Sequence, residues 1–436
     1  MNNQIQTKLG DVADIITGPF GSQLHKSDYV QSGIACIMPQ NIGNRTLNKQ
    51  GIAYVSPQDA NRLKRYAVRK NDIVYARRGD VEKHAYIYPI DSDSLCGTGC
   101  MRVRVDSSKA DPLYVSFYLN RPETKRWISQ HAVGSNMPNI NSGILNDVPL
   151  SLPTLYEQTQ ISKFLEAIDK KISNSNQVCA ELESMAKTLY DYWFVQFDFP
   201  DENGKPYRTS GGKMVWNDQL KREIPKGWGL GKIKHLGSIV SGGTPSTKHE
   251  EYYCDCGFAW ITPNDLSGNE GKMFIGHGER DVTQDGIDNS SATLMPKGAV
   301  LLSTRAPIGY LAISENELST NQGFKSIVPD AGYSEYYIYY LLLRNIPALE
   351  KQGVGTTFKE ISKDTLAEFE VLLPSKTIAN KFAESIQSAC ELRAKLEKEN
   401  RELTKLRDWL LPMLMNGQAT VITAPADTNS PGSKSH

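Results

Sequence analysis

Four blocks of this sequence occur twice, in the same order and at nearly the same spacing. GIACIMPQNI (33–42) aligns without a gap with GFAWITPNDL (257–266), and RKNDIVYARRG (69–79) aligns with PKGAVLLSTRA (296–306), which sets Arg78 opposite Arg305. LYVSFYLNR (113–121) answers YYIYYLLLR (336–344), and AVGSNMPNINSGILNDVPLSLP (132–153) answers GVGTTFKEISKDTLAEFEVLLP (353–374). One match would be chance; four in register are a duplication. Whatever one copy folds into, the other must fold into as well, and 436 residues exceed one ordinary core.

Each copy reads as α+β. DIVYARR, MRVRV, AVLLST and KSIV have the alternation or β-branching of strands, and the aromatic runs LYVSFYLN and YYIYYLLL suit short helices packed on them. TGPFGS, SGGTPST and RAPIG break these elements as loops. After each copy comes a long amphipathic helix, entered just past Pro153 and Pro374, with Thr154 and Ser375 as N-cap candidates and Glu157 in the first turn. The apolar seam of the first runs Ile161, Phe164, Ile168, Val178, Leu182, Met185, Leu189 and Tyr192, interrupted by Lys171 and Ser175. That of the second runs Ile378, Phe382, Ala389, Leu392, Leu396, Leu403, Leu406 and Leu410, interrupted by Ser385 and Glu399. Such heptads predict pairing as a coiled coil rather than two separate surface helices.

A helix over 154–197 is about 65 Å long at about 1.5 Å per residue. It carries the chain away from the first domain, so the second helix must return antiparallel to meet it. The expected architecture is two similar domains related by a pseudo-twofold axis, one at each end of a helical spacer. The boundaries follow: domain 1 at 1–153, the central helix at 154–197, a linker at 198–227, domain 2 at 228–374, the C-terminal helix at 375–417, and a disordered tail at 418–436.

Several classes are excluded by what the sequence lacks. MNNQIQTKLG has no apolar core of a signal peptide, and the apolar stretch at Tyr336–Leu343 is too short to span a bilayer, so a cytoplasmic location is expected. Seven scattered cysteines argue against a disulfide framework, and the pairs Cys96/Cys100 and Cys254/Cys256 lack a matching cluster for zinc, so no metal is expected. GWGLGK (227–232) falls short of a phosphate loop, PDENGK (200–205) lies in the linker without strand context, and the seven histidines form no spaced pair. No catalytic residues are therefore expected. Charge is uneven: residues 1–153 hold 18 Lys and Arg against 13 Asp and Glu, whereas residues 228–374 hold 12 against 18. A basic surface for nucleic acid is thus carried by the first domain.

The layout and wording of the repeats resemble the specificity subunit of type I restriction–modification systems. The resemblance rests on GGTPST (242–247), WITPNDL (260–266), STRAPIGYLAI (303–313), TNQGF (320–324) and GTTFKEIS (355–362), and on the helix ends DYWFVQFDFP (191–200) and LRDWLLPMLMNGQ (406–418). It implies two target-recognition domains, each reading half of a bipartite sequence in double-stranded DNA. It also implies paired helices that set the spacer and dock two modification subunits, with ATP-dependent restriction subunits completing the complex. Methyl donor and ATP then belong to those partners, and this chain holds no cofactor. The first domain departs from the second's wording, with TGPFGSQLHKS for GGTPST and YARRGDVEKHAYI for STRAPIGYLAI.

Candidate DNA contacts are the basic side chains Lys64, Arg65, Arg69, Lys70, Arg77 and Arg78, which suit phosphate, with arginine also able to read guanine. Ser135 and Asn136 lie in the loop that matches Thr356 and Thr357. Domain 2 adds Thr244, Ser246, Lys248, Arg305, Asn321, Gln322 and Lys359; Asn and Gln pair with adenine when they are not capping turns. Two other classes fit the residues less well: a recognition-bearing chain of a methyltransferase or nuclease, and a coiled-coil scaffold for two protein-binding domains.

Overall fold

A computed structural model describes residues 4–134, 137–305, 307–354 and 359–421. Residues up to Lys171 together with those from Glu402 onward form one compact unit, and Ile172–Arg401 form the other. Each unit therefore contains one globular domain and a part of each long helix.

The duplication holds strand for strand. In unit 1 a five-stranded sheet runs in the order Ala13–Thr17, Cys100–Val105, Ile73–Ala76, His84–Tyr86, Asn44–Arg45, and in unit 2 the order is Ser238–Ser241, Lys325–Val328, Val300–Leu302, Leu311–Ser314, Phe274–Ile275. Both sheets are antiparallel except at the last pair, which is parallel in both. A four-stranded sheet accompanies each, and Ile5–Lys8 pairs with Pro149–Leu152 as Gly229–Lys232 pairs with Glu370–Leu373. The aromatic runs are helical: Pro112–Leu119 is capped by Asp111 and buried throughout, and Glu335–Glu350 is capped by Ser334. Burial on all sides of the first, and of residues 337–342 in the second, explains why these stretches show no clean polar face.

The long helices span Leu155–Tyr190 and Lys376–Met415. Thr154 closes a capping box with Glu157, its hydroxyl accepting from the Glu157 N–H at 3.3 Å while the carboxylate accepts from the Thr154 N–H at 3.0 Å. The first helix ends in a π turn, Asp191–Val195. Within each unit the two helices run antiparallel: Ile161 and Leu165 share a core with Leu411 and Leu414 in unit 1, and Ala186 and Tyr190 share one with Phe382 and Ile386 in unit 2.

The seam departs from the heptads expected for it. Phe164, Val178, Met185, Leu392 and Leu406 are exposed, while the buried line runs through Ile161, Leu165, Ile168, Ser175, Cys179 and Ala186 and through Phe382, Ile386, Cys390, Arg393, Glu397 and Asn400. Ile161, Ile168 and Phe382 of the expected seam are buried, as is Ser175, expected as an interruption; small and polar residues fill the middle of the interface, where the apolar pattern drifts onto exposed positions.

The segment expected as a linker is built. Met214–Asn217 pairs with Arg222–Pro225 as a hairpin. Phe197, Phe199, Ile224 and Trp228 are buried in the core of unit 2, with Phe199 stacked on Trp228 at 5.2 Å. Its Gly, Pro and charge mark tight turns, and its aromatic residues supply the burial that a flexible linker lacks. Of the expected tail, residues 422–436 lie outside the described residues. Among the described residues no helix is long and apolar enough to cross a membrane, and no group of His, Cys, Asp and Glu could hold a metal ion. Cys36, Cys96 and Cys100 are buried and free, and burial pushes the Cys36 thiol up to about 12.

Candidate nucleic-acid interface

In unit 2 three loops meet where the central strands end. Strand Val300–Leu302 runs on to Thr304 and Arg305, the turn 321–324 leads into Lys325–Val328, and Gly242–Pro245 follows Ser238–Ser241. Backbone bonds tie them together: Gly243 N–H to Thr320 O at 2.8 Å, Thr304 N–H to Gly323 O at 2.8 Å, and Ile361 N–H to Thr304 O at 2.9 Å. Gly242 must be glycine here, because a Cβ would run into the Asn321 carbonyl. Trp260 braces the loop by donating its indole N–H to Gly243 O at 3.0 Å.

The candidate side chains of domain 2 gather on this platform. Thr244 donates to the Gln322 side-chain carbonyl. Arg305 pairs backbone to backbone with Glu360, and its Nε lies 2.9 Å from the Glu360 carboxylate, which leaves the guanidinium tip half-exposed. Ser246, Lys248, Gln322 and Lys359 are exposed. Asn321 is spent on a turn, its side-chain oxygen accepting from Gly323 N–H at 2.9 Å. That is the capping use, and it fixes the orientation of the Asn321 amide. Thr356 and Thr357 lie outside the described residues.

Sequence reasoning missed three members of this cluster. Lys325 is buried, with its ammonium 3.3 Å from Phe324 O and 3.9 Å from Glu360; burial holds its pKa below the usual lysine range, with Glu360 opposing. Glu360 joins both cations, and Trp260 supports the loop. The signal was present: Lys325 opens the apolar run KSIV at a position where alternation calls for an inward side chain.

Unit 1 repeats the platform with different chemistry. Arg77 takes the place of Thr304, its N–H bonding Gly99 O at 2.8 Å and its carbonyl accepting from Ile140 N–H at 3.0 Å. Arg78 bridges Asn139 as Arg305 bridges Glu360. Its neighbour is an amide, so the Arg78 guanidinium has no carboxylate beside it among the described residues. The Arg77 guanidinium lies over the exposed Phe20 ring at 5.8 Å. Arg62 and Tyr66 reach the same loop through Gln23, at 2.7 and 2.8 Å, which brings the turn bearing Lys64 and Arg65 alongside it. Arg69 and Lys70 are exposed but precede the strand Ile73–Ala76, whereas Arg77 and Arg78 follow it. Four extended residues, about 13 Å, separate the two pairs, so they do not form one cluster. Ser135 and Asn136 lie outside the described residues.

Two copies of one α+β domain, each with a loop platform of polar and basic side chains and each docked on paired antiparallel helices, define a duplicated recognition protein. The family description "Type I restriction modification DNA specificity domain" matches residues 4–184 and again 225–405. The chain belongs to that family. It is similar to the MjaIX type I restriction enzyme specificity subunit of Methanocaldococcus jannaschii, 38% identical over 200 residues that cover 44% of this chain and 46% of that protein. It is also similar to the HindI type I restriction enzyme specificity subunit of Haemophilus influenzae, 24% identical over 406 residues, 81% of this chain and 87% of that one. The fold matches the S subunit of a type I restriction–modification system from M. genitalium, with a TM-score of 0.60, 15% identity and coverage of 95% and 96% of the two chains.

Proposed function

We propose that this chain is the non-catalytic DNA-reading subunit of a type I restriction–modification complex. Each domain reads one half of a split target in double-stranded DNA, and the helix pair sets the distance between the halves. The observation that carries this reading is the pair of equivalent loop platforms: one fold presents Arg78 and Arg305 at the same place with different neighbours. Variation on a fixed scaffold is what two different half-sites require.

The partners are two modification subunits docked on the helices, joined by restriction subunits. Support comes from large apolar side chains left exposed on the long helices, Tyr156 (68%) and Trp409 (61%) in unit 1 and Met185 (51%) in unit 2. Large aromatic and Met side chains are the residue types enriched at protein interfaces. Methyl donor and ATP are held by those partners, and the complex works in the cytoplasm.

The test is co-expression with the modification subunit followed by long-read modification sequencing. Adenine methylation at one split motif, with marks on opposite strands, is the expected result; continuous motifs, or none, refute the reading. Methyl transfer by the purified chain alone would move the function to the enzyme class.

A further inference from the structure

We propose that three polar pairs along the helices form a register lock that holds the two half-sites at a single separation. In unit 1 the Arg407 guanidinium donates to Asp169 at 2.8 Å. In unit 2 the Asn400 amide donates to Asn176 at 2.8 Å, and Arg393 lies 3.1 Å from Glu183. Positions 169, 176 and 183 advance by seven residues on one helix while 407, 400 and 393 retreat by seven on the other. The pairs therefore occupy one heptad position, and each unit by itself displays the same antiparallel register.

An apolar seam tolerates a heptad slip, because Leu against Ile costs little more than Leu against Leu. This ladder does not. A slip of seven residues in one direction sets Asp169 against Leu414, and in the other it sets Glu183 against Ile386; Leu414 and Ile386 are 3% and 0% exposed. Either slip strands a carboxylate on an apolar wall and removes an arginine's partner. The central rung favours the native register at a cost in stability. Asn400 is 5% exposed, and its side-chain oxygen has no partner among the described residues. A leucine there would pack better, so the asparagine is explained by specificity, as polar residues in coiled-coil seams generally are.

The outer rungs extend the lock into the recognition domains. Asp169 also accepts from Arg45, which is 6% exposed and lies over the Phe117 ring at 3.3 Å. Arg393 donates to Gly271 O at 2.8 Å, in the turn that leads to the equivalent edge strand Phe274–Ile275. The same groups that choose the helix register thus seat each domain through the same edge of its sheet.

This inference rests on the proposed reading that helix geometry sets the spacer, and the experiment separates the two. The full chain carrying Asn176→Leu with Asn400→Leu is co-expressed with the modification subunit, and the methylated motifs are sequenced beside those of wild type. Among the described residues the Asn400 amide bonds only residues of the first long helix, Ile172 and Asn176. Asn400 is buried and Asn176 lies on the exposed rim of the pair, so the variant is expected to fold and to mark the same two half-sites at more than one separation. A heptad slip moves the helices by about 10 Å at about 1.5 Å per residue, or about 3 base pairs at about 3.4 Å each. If the double variant does not fold, Arg407→Leu, which leaves the Arg45–Asp169 pair intact, is judged by the same readout. A folded variant that keeps one native separation, whatever its melting temperature, overturns the lock. A wild-type complex without a split motif overturns the functional reading itself.

Discussion

Glu397 offers a sharp energetic test of how domain 2 is held. Its carboxylate is 3% exposed and accepts from Met273 N–H at 3.0 and 3.2 Å, from Phe274 N–H at 3.0 Å, and from the Arg393 Nε at 2.7 Å. Arg393 itself is 2% exposed. Glu397→Ala leaves a buried guanidinium with the more distant Glu183 and orphans two backbone donors. Breaking a buried pair by removing one partner costs about 3–5 kcal/mol. For a unit of this size that is a fall of roughly 6–20 °C in melting temperature. Calorimetry on the full chain should show it in the transition of one unit, with the other unmoved. Replacing both Arg393 and Glu397 by apolar residues would ordinarily restore much of the loss, but here it should not. The two N–H groups stay unpaired at about 1–3 kcal/mol each. A loss below about 1 kcal/mol for the single variant, or full recovery in the double, would refute the argument that this carboxylate seats the domain.

Four further outcomes are expected. His84 is buried between Tyr75, stacked at 5.1 Å, and Ser116, and burial depresses its pKa to about 3. The unfolded imidazole takes a proton near pH 6.5 that the folded one refuses, so stability is full above that pH and is lost as pH falls from about 6.5 toward about 3. Between pH 7 and 5 wild type should lose about 2 kcal/mol more than His84→Gln in urea unfolding, and equal losses would discount the buried imidazole. Gly242→Ala should disrupt the domain 2 platform and abolish or alter one half-site while the other is read normally; an unchanged motif would mean the loop can move freely. Deleting seven residues within 165–188 should shorten the spacer and leave both half-sites intact, and altered half-sites at an unchanged spacer would oppose the ruler. Arg78→Ala should weaken binding across sequences and lower the salt dependence by about one phosphate contact, whereas Arg305→Ala should relax one half-site by roughly 1–3 kcal/mol; identical salt slopes would erase that distinction.

The duplication, the α+β content of each copy and the two long helices were legible because they are carried by wording and periodicity over tens of residues. Other features depended on contacts between distant residues. The helix interface was legible at Ile161, Ile168 and Phe382 but not in its middle, where Cys179, Arg393, Glu397 and Asn400 are buried and an apolar heptad search passes over them. The hairpin and the aromatic cluster at 197–228 were taken for a linker because turn residues and charge outnumber the few aromatics that decide their burial. Of the DNA-contact candidates, Arg78 and Arg305 were located by alignment of the repeats, since equivalent positions fold equivalently. Asn321 could not be judged that way, as its value turns on a 2.9 Å bond to Gly323 that no pattern encodes.

The two copies share a fold and differ in electrostatics at the point that matters. In domain 2, Glu360 stands between Arg305 and the buried Lys325, so one anion offsets part of the charge of two cations. In domain 1, Asn139 occupies that position, Arg78 has no such anion, and Lys64 and Arg65 add charge beside the same loop. The local difference follows the sign of the domain totals, 18 Lys and Arg against 13 Asp and Glu in residues 1–153 but 12 against 18 in residues 228–374. Affinity for phosphate falls steeply with salt, while base reading depends on oriented hydrogen bonds that salt barely touches. A chain built this way divides labour between its halves. The expectation is that the first domain supplies most of the attraction to DNA and that the second, with its arginine held by a carboxylate, contributes discrimination; the salt slopes of Arg78→Ala and Arg305→Ala measure that division.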